Sequence, residues 1–131
     1  MIDPRLIRET PDLVRAAQAK RGLSGDVVDR AVVADEARRQ AISAYEALRA
    51  EQKVLGKQVA SAQGDEKAAL LARTKALSTE VKEAEAHQTA AEQEWRDALL
   101  QIPNPAADEA PAGGEEDFRV LEIIGTPRDF A

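Results

Sequence analysis

Two stretches of seven-residue apolar spacing, joined by only five residues, constrain this chain more than any other feature. In the first, Tyr45, Gln52 and Val59 occupy one set of positions and Ala41, Leu48, Leu55 and Ala62 the other. In the second, Leu70, Leu77, Ala84, Ala91 and Ala98 alternate with Thr74, Val81, Gln88, Trp95 and Ile102. Such spacing keeps one apolar stripe on one side of a helix and predicts supercoiled partners. The expected helices cover about 26–62 and 65–101, the first opened by Ser24 or Asp26 and holding a single interior glycine, Gly56. Between them, Ser61-Ala62-Gln63-Gly64-Asp65 supplies a glycine for the turn and an acid to cap the return helix. So short a connection makes the helices antiparallel neighbours. About 37 residues at 1.5 Å each give a rod of roughly 55 Å, longer than any globular core this chain could wrap around it. The hairpin must project as an arm.

Composition agrees with slim packing. Only four residues are Phe, Tyr or Trp and alanine is abundant, so the seam allows close approach but buries little area per residue. Arg38, Gln52, Thr74 and Gln88 fall at polar seam positions. They either set the register at some cost in stability or lie exposed at the edge of a slender hairpin. Ahead of the hairpin, Asp3-Pro4 and Thr10-Pro11 predict two short capped helices within residues 3–21, stopped by Gly22. Leu6, Ile7, Leu13, Val14 and Ala17 form their apolar side, and pieces this short need a longer support. Beyond Pro103, PNPAADEAPAGGEED reads as a linker with Gly113-Gly114 as a flexible joint. Residues 118–124, from Phe118 to Ile124, read as one β-strand closed by Gly125. The expected fold is therefore all-α: a long antiparallel two-helix coiled-coil hairpin with short N-terminal helices and a C-terminal linker carrying one strand. That strand needs a sheet, supplied by another chain or by partner sequence this chain lacks.

Residues that could carry chemistry are sparse. The absence of cysteine removes disulfides, thiol catalysis and cysteine zinc sites. No apolar run approaches the roughly 20 residues that span a bilayer, and the opening MIDPRLIRE lacks an apolar signal segment. No membrane partner is expected, and the cytoplasm is the expected location. His87 is the single histidine, with only Glu80 and Glu83 as helical neighbours, and reads as a solvated residue. The acid pairs Asp35/Glu36, Glu92/Glu94 and Glu115/Glu116 belong to a rod or a linker, where no concave wall raises a pKa or excludes water. No catalytic, cofactor-binding or metal-binding residue is assigned.

The distribution of charge is more informative than the total. The net charge is −6, yet residues 49–75 hold Arg49, Lys53, Lys57, Lys67, Arg73 and Lys75 against Glu51, Asp65 and Glu66. Arg49, Lys53 and Lys57 recur every four residues, forming a stripe on the first helix as it nears the turn. Lys67, Arg73 and Lys75 cover the same distal half on the return helix. Such a surface can meet phosphates along a folded polynucleotide, or it can be ordinary solvated helix charge; residue types alone leave both open.

Leu6-Ile7-Arg8-Glu9-Thr10-Pro11-Asp12-Leu13-Val14 resembles the opening of bacterial seryl-tRNA synthetase. Arg21-Gly22, Asp35-Glu36-Ala37-Arg38-Arg39 and Leu48-Arg49-Ala50-Glu51-Gln52-Lys53 follow in that family's order and spacing. So do Ile102-Pro103-Asn104-Pro105, Pro111-Ala112-Gly113 and Glu115-Glu116. Two positions depart: Gln52-Lys53 stands where the family usually has arginine-asparagine, and Asp117-Phe118 where an asparagine is common after the acidic pair. The resemblance implies an N-terminal tRNA-binding arm over residues 1–102, with 103–131 as linker and start of a catalytic domain missing from this chain.

It further implies that serine tRNA, with its long variable arm and elbow, is the partner. By position near the tip and by charge, the contacts fall on Arg49, Lys53, Lys57, Lys67, Arg73 and Lys75. ATP and magnesium belong only to a complete family member, as does the expected homodimer; the isolated arm is expected to be a monomer and not to catalyse serylation. The alternative on the same heptads is a coiled-coil module for protein interaction or self-association, without RNA specificity.

Overall fold

In the computed structural model, which describes residues 2–126 and 128, prolines set the first two helices. Helix α1 spans Pro4–Glu9 behind Asp3, whose carboxylate accepts the Arg5 N–H at 2.9 Å. Helix α2 spans Pro11–Lys20. The Thr10 hydroxyl, expected to cap α2, instead donates to the Leu6 carbonyl of α1 at 3.4 Å, so α2 begins without a side-chain cap. Gly22 adopts a left-handed φ of 71°, and the Gly22 and Leu23 N–H groups then reach the carbonyls of Ala19 and Gln18.

The two long helices are α3, Asp26–Ser61, and α4, Gly64–Leu100, folded back as an antiparallel hairpin. Gly64 turns with a φ of 58°, a conformation costly for other residues. Asp65 does not cap α4 as expected; Gln63 occupies the cap without a side-chain bond. Asp65 and Glu66 instead lie in the first turn, where carboxylates suit the helix dipole. Every seam position named from the heptads is buried or half-buried.

The seam holds two apolar clusters. At the base, Ile2, Ile7 of α1 and Val14 of α2 pack with Val28 and Ala31 of α3 and with Leu99 and Ile102 at the end of α4. The short helices thus obtain the support that they lack alone. In the distal half, Leu55, Leu77 and Val81 are buried and Tyr45, Leu48 and Leu70 pack against them. Between the clusters the seam narrows to Ala34, Ala41, Ala84 and Ala91, with Arg38 and Gln88 at the remaining positions.

The C-terminal expectation needs correction. No β-strand forms among the described residues, and Phe118 to Ile124 is irregular backbone following a 3₁₀ turn at Glu115–Asp117. Phe118 is 73% exposed, Leu121 83% and Ile124 87%. β-propensity reflects fit to a pleated, half-buried surface, and without a neighbouring strand the backbone has no ladder to join. The segment before it is more firmly attached than a linker reading suggests. Lys20 Nζ donates to the carbonyls of Ala107 and Asp108 at 3.1 and 2.8 Å, Arg21 to that of Asn104 at 3.0 Å, and the buried Gln18 to that of Pro103 at 3.3 Å. Gly113, read as a joint, donates its N–H to the Lys20 carbonyl at 2.9 Å. The end of α2 therefore holds the chain that leaves the hairpin. Of residues 103–131, positions 127 and 129–131 lie outside the described residues.

Candidate nucleic-acid interface

A surface that binds an anionic polymer needs cations that are not already neutralised, and the two ends of the hairpin differ in this respect. Near the base, the Asp35 side chain is only 6% exposed. Its carboxylate accepts from Arg8 Nε at 3.1 Å, Arg38 Nη2 at 2.9 Å and Arg39 Nε at 3.2 Å. Burial pushes the Asp35 carboxyl up, but the hydrogen bonds and charges of Arg8 and Arg38 outweigh this and hold it below the usual carboxylate range. Arg38 also lies over the Trp95 ring, 4.4 Å from its centroid, which explains how a cation is tolerated at a seam position. Arg8, Arg38 and Arg39 are thus absorbed in structure, as is Arg15, bound to Asp12 and Asp29 at 2.6 Å, whereas Arg5, Arg30 and Arg96 form no ion pair among the described residues.

In the distal half, Arg49, Lys53, Lys57, Lys67, Arg73 and Lys75 are all exposed. They are not equivalent. Arg73 bridges Glu51 of α3 and Glu80 of its own helix, each at 2.7 Å. The hydrogen bonds it donates to Glu51 and then to Glu80 raise its already high pKa. Arg49 donates to Gln52 Oε1 at 2.7 Å, which leaves its charge uncompensated. Among the described residues, Lys53, Lys57, Lys67 and Lys75 form no ion pair. Arg49, Ala50, Gln52 and Lys53 line a surface depression of about 470 Å³.

Lys82 lies outside the 49–75 window yet is exposed and one heptad beyond Lys75, so seven-residue spacing is the signal that could have included it. His87 is exposed, in line with the reading of a solvated residue. A larger groove of about 760 Å³ near the base is lined by Ala34, Ala90 and Ala98 together with Asp29, Glu94 and Asp97 and the single cation Arg30. Three acids against one arginine make it a poor seat for phosphate. Among the described residues no acid–histidine cluster is arranged to hold a metal ion, and no helix is long and apolar enough to cross a membrane.

A projecting antiparallel hairpin with helical support at its base is an architecture that comparison with known proteins places in a family. Residues 1–106 match the seryl-tRNA synthetase N-terminal domain, and the chain belongs to that family. It is 67% identical over 131 residues to a serine-tRNA ligase of Nocardioides sp. and 56% identical over the same length to that of Acidothermus cellulolyticus. In each case all of this chain is covered, and it spans 31% of the length of the relative. The matched span corresponds to the non-catalytic N-terminal domain of those ligases. A crystal structure of the cytoplasmic serine-tRNA ligase of Naegleria fowleri with AMP superposes with a TM-score of 0.76. It is 23% identical, over 96% of this chain and 28% of that one, and this likeness carries the fold alone.

Proposed function

We propose that this chain grips serine tRNA by its long variable arm and elbow, using the cations of the distal half of the hairpin. Arg49, Lys53, Lys57, Lys67 and Lys75 supply the free positive charge, whereas Arg73, engaged by Glu51 and Glu80, holds α4 to α3 rather than gripping the RNA. In a complete ligase the arm, residues 1–102, orients the acceptor end toward a catalytic domain entered through residues 103–131. That domain uses ATP and magnesium, in a homodimer. Binding energy then goes into orientation, and discrimination comes from RNA shape rather than from base edges.

The observation that carries this reading is the set of exposed lysines without ion pairs at the far end of a rod whose family is the N-terminal domain of seryl-tRNA synthetases. Its test is the triple change Arg49→Ala, Lys53→Ala and Lys57→Ala, with filter binding of serine tRNA across a salt series. Helix content is expected to be unchanged, while the salt slope falls by about 2 to 3, as expected for the loss of three phosphate contacts. Unchanged affinity and slope would remove these residues from the interface. A titration with a tRNA lacking the long variable arm tests the partner: equal affinity would contradict recognition by shape.

A further inference from the structure

We infer that only one flank of the distal hairpin meets the RNA, and that Lys82 extends this flank beyond the cations named above; the inference rests on the RNA-binding reading. The heptad frame separates the two flanks. With Tyr45, Gln52 and Val59 in one seam row and Leu48 and Leu55 in the other, Glu51 and Gln58 border the seam on one side, Arg49 and Gly56 on the other. On α4, Arg73 and Glu80 border it on one side, Leu71 and Ser78 on the other.

Two cross-helix contacts identify which borders face each other. Arg73 meets Glu51 at 2.7 Å in the distal half, and Arg30 donates to Gln101 at 3.3 Å at the base, both on the same flank. The opposite flank is the one that α1 and α2 cover at the base, through Val28, Asp35 and Leu99.

Charge divides along this boundary. From residue 49 to residue 83, the flank continuous with α1 and α2 carries Arg49, Lys53, Lys75 and Lys82 and no acid, while Lys57 and Asp65 lie on the outer faces of their helices and Lys67 falls in the seam row of Thr74. The other flank carries Glu51, Glu66, Glu80 and Glu83 with the single cation Arg73, itself bound to two of them. Lys82 is exposed and forms no ion pair among the described residues. Lys75 and Lys82 lie about 10.5 Å apart along α4, two turns on one face. Small side chains between the cations, Ala50, Ala60, Ala68, Ala72 and Ser78, let a sugar-phosphate backbone approach closely. A polyanion approaching the acidic flank meets repulsion instead, so the hairpin is sided.

The test uses filter binding of transcribed serine tRNA to the 131-residue chain, with substitutions on both flanks. The double change Lys75→Ala and Lys82→Ala is expected to weaken binding about tenfold and to lower the salt slope by about 1.5 to 2, as two lost phosphate contacts should. Arg73→Ala is expected to lower the melting temperature but to change affinity by less than about twofold, since its charge is already compensated. Glu83→Lys touches no packing and reads the acidic flank independently: it should gain less than about twofold. Full affinity in the double variant, or losses in Arg73→Ala that match it, would overturn the sidedness while leaving the RNA reading in place. Failure of the unsubstituted chain to bind would overturn both.

Discussion

The base and the distal half of the same hairpin solve opposite problems with the same heptad repeat. At the base, the seam is widened by two extra helices, the arginines surround a buried carboxylate, and the departing chain is fastened to the end of α2. In the distal half the core shrinks to Leu55, Leu77 and Val81, and lysines face solvent without partners among the described residues. The contrast teaches that rigidity and readiness to bind an anion are separated along the rod. Four arginines near the base, Arg8, Arg15, Arg38 and Arg39, are tied to acids, whereas, among the described residues, the distal lysines are left unpaired where the protein offers least packing of its own.

The sharpest way to break this comparison is to remove the distal core. Leu77→Ala deletes the one fully buried leucine of that cluster and should cost about 3 kcal/mol, within the range for leucine truncations. Urea unfolding should register it, and amide exchange should place the loss in the distal half, with the base still protected. Uniform loss along the chain would mean that the two halves fold as one unit. Next in size, Asp35→Asn should destabilise by about 2 kcal/mol; this is below the cost of breaking a fully buried ion pair, because Arg8 and Arg39 remain half-exposed.

Acid sharpens the same point. Asp35 gives up its proton more readily in the folded chain, so its charge stabilises the fold above about pH 4, and the gain is lost as pH falls through the lowered folded value. Melting temperatures between about pH 6 and pH 2 should fall less steeply in Asp35→Asn than in the unsubstituted chain. Equal slopes would remove Asp35 as the base's acid-sensitive clamp. The smallest effect is expected from Gly56→Ala. Open space surrounds the position that a Cβ would take at this exposed interior glycine, and replacement should stabilise α3 by roughly 0.5–1 kcal/mol, read as a higher urea midpoint.

Much of this architecture is legible in the residues. Both long helices, the turn at Gly64 and the starts at Pro4 and Pro11 follow from heptad spacing and from glycine and proline placement, which act within a few residues; of the expected caps, that of Asp3 forms and those of Thr10 and Asp65 do not. What escapes a reading of the sequence depends on contacts distant along the chain. Asp35 reads as one of a surface acid pair because Arg8 lies 27 positions away and only the fold brings it near. The hold of Lys20 on Ala107 and Asp108 bridges 87 and 88 positions and turns an expected joint into an attached segment. The strand expected from Phe118 to Ile124 fails because propensity describes a residue's fit to a sheet, not the presence of one. At the candidate site, the six cations are visible by type and spacing. The engagement of Arg73 by Glu51 is not, since it joins helices across the turn.

The most direct test of the separation between anchor and grip is amide hydrogen exchange along the whole chain, with and without serine tRNA. Faster exchange is expected in the distal half of the free hairpin, with slowing on RNA addition confined to about residues 46–83 and the base unchanged. Slowing centred on the base, around Asp35 and Trp95, or no change anywhere at saturating RNA, would contradict that separation.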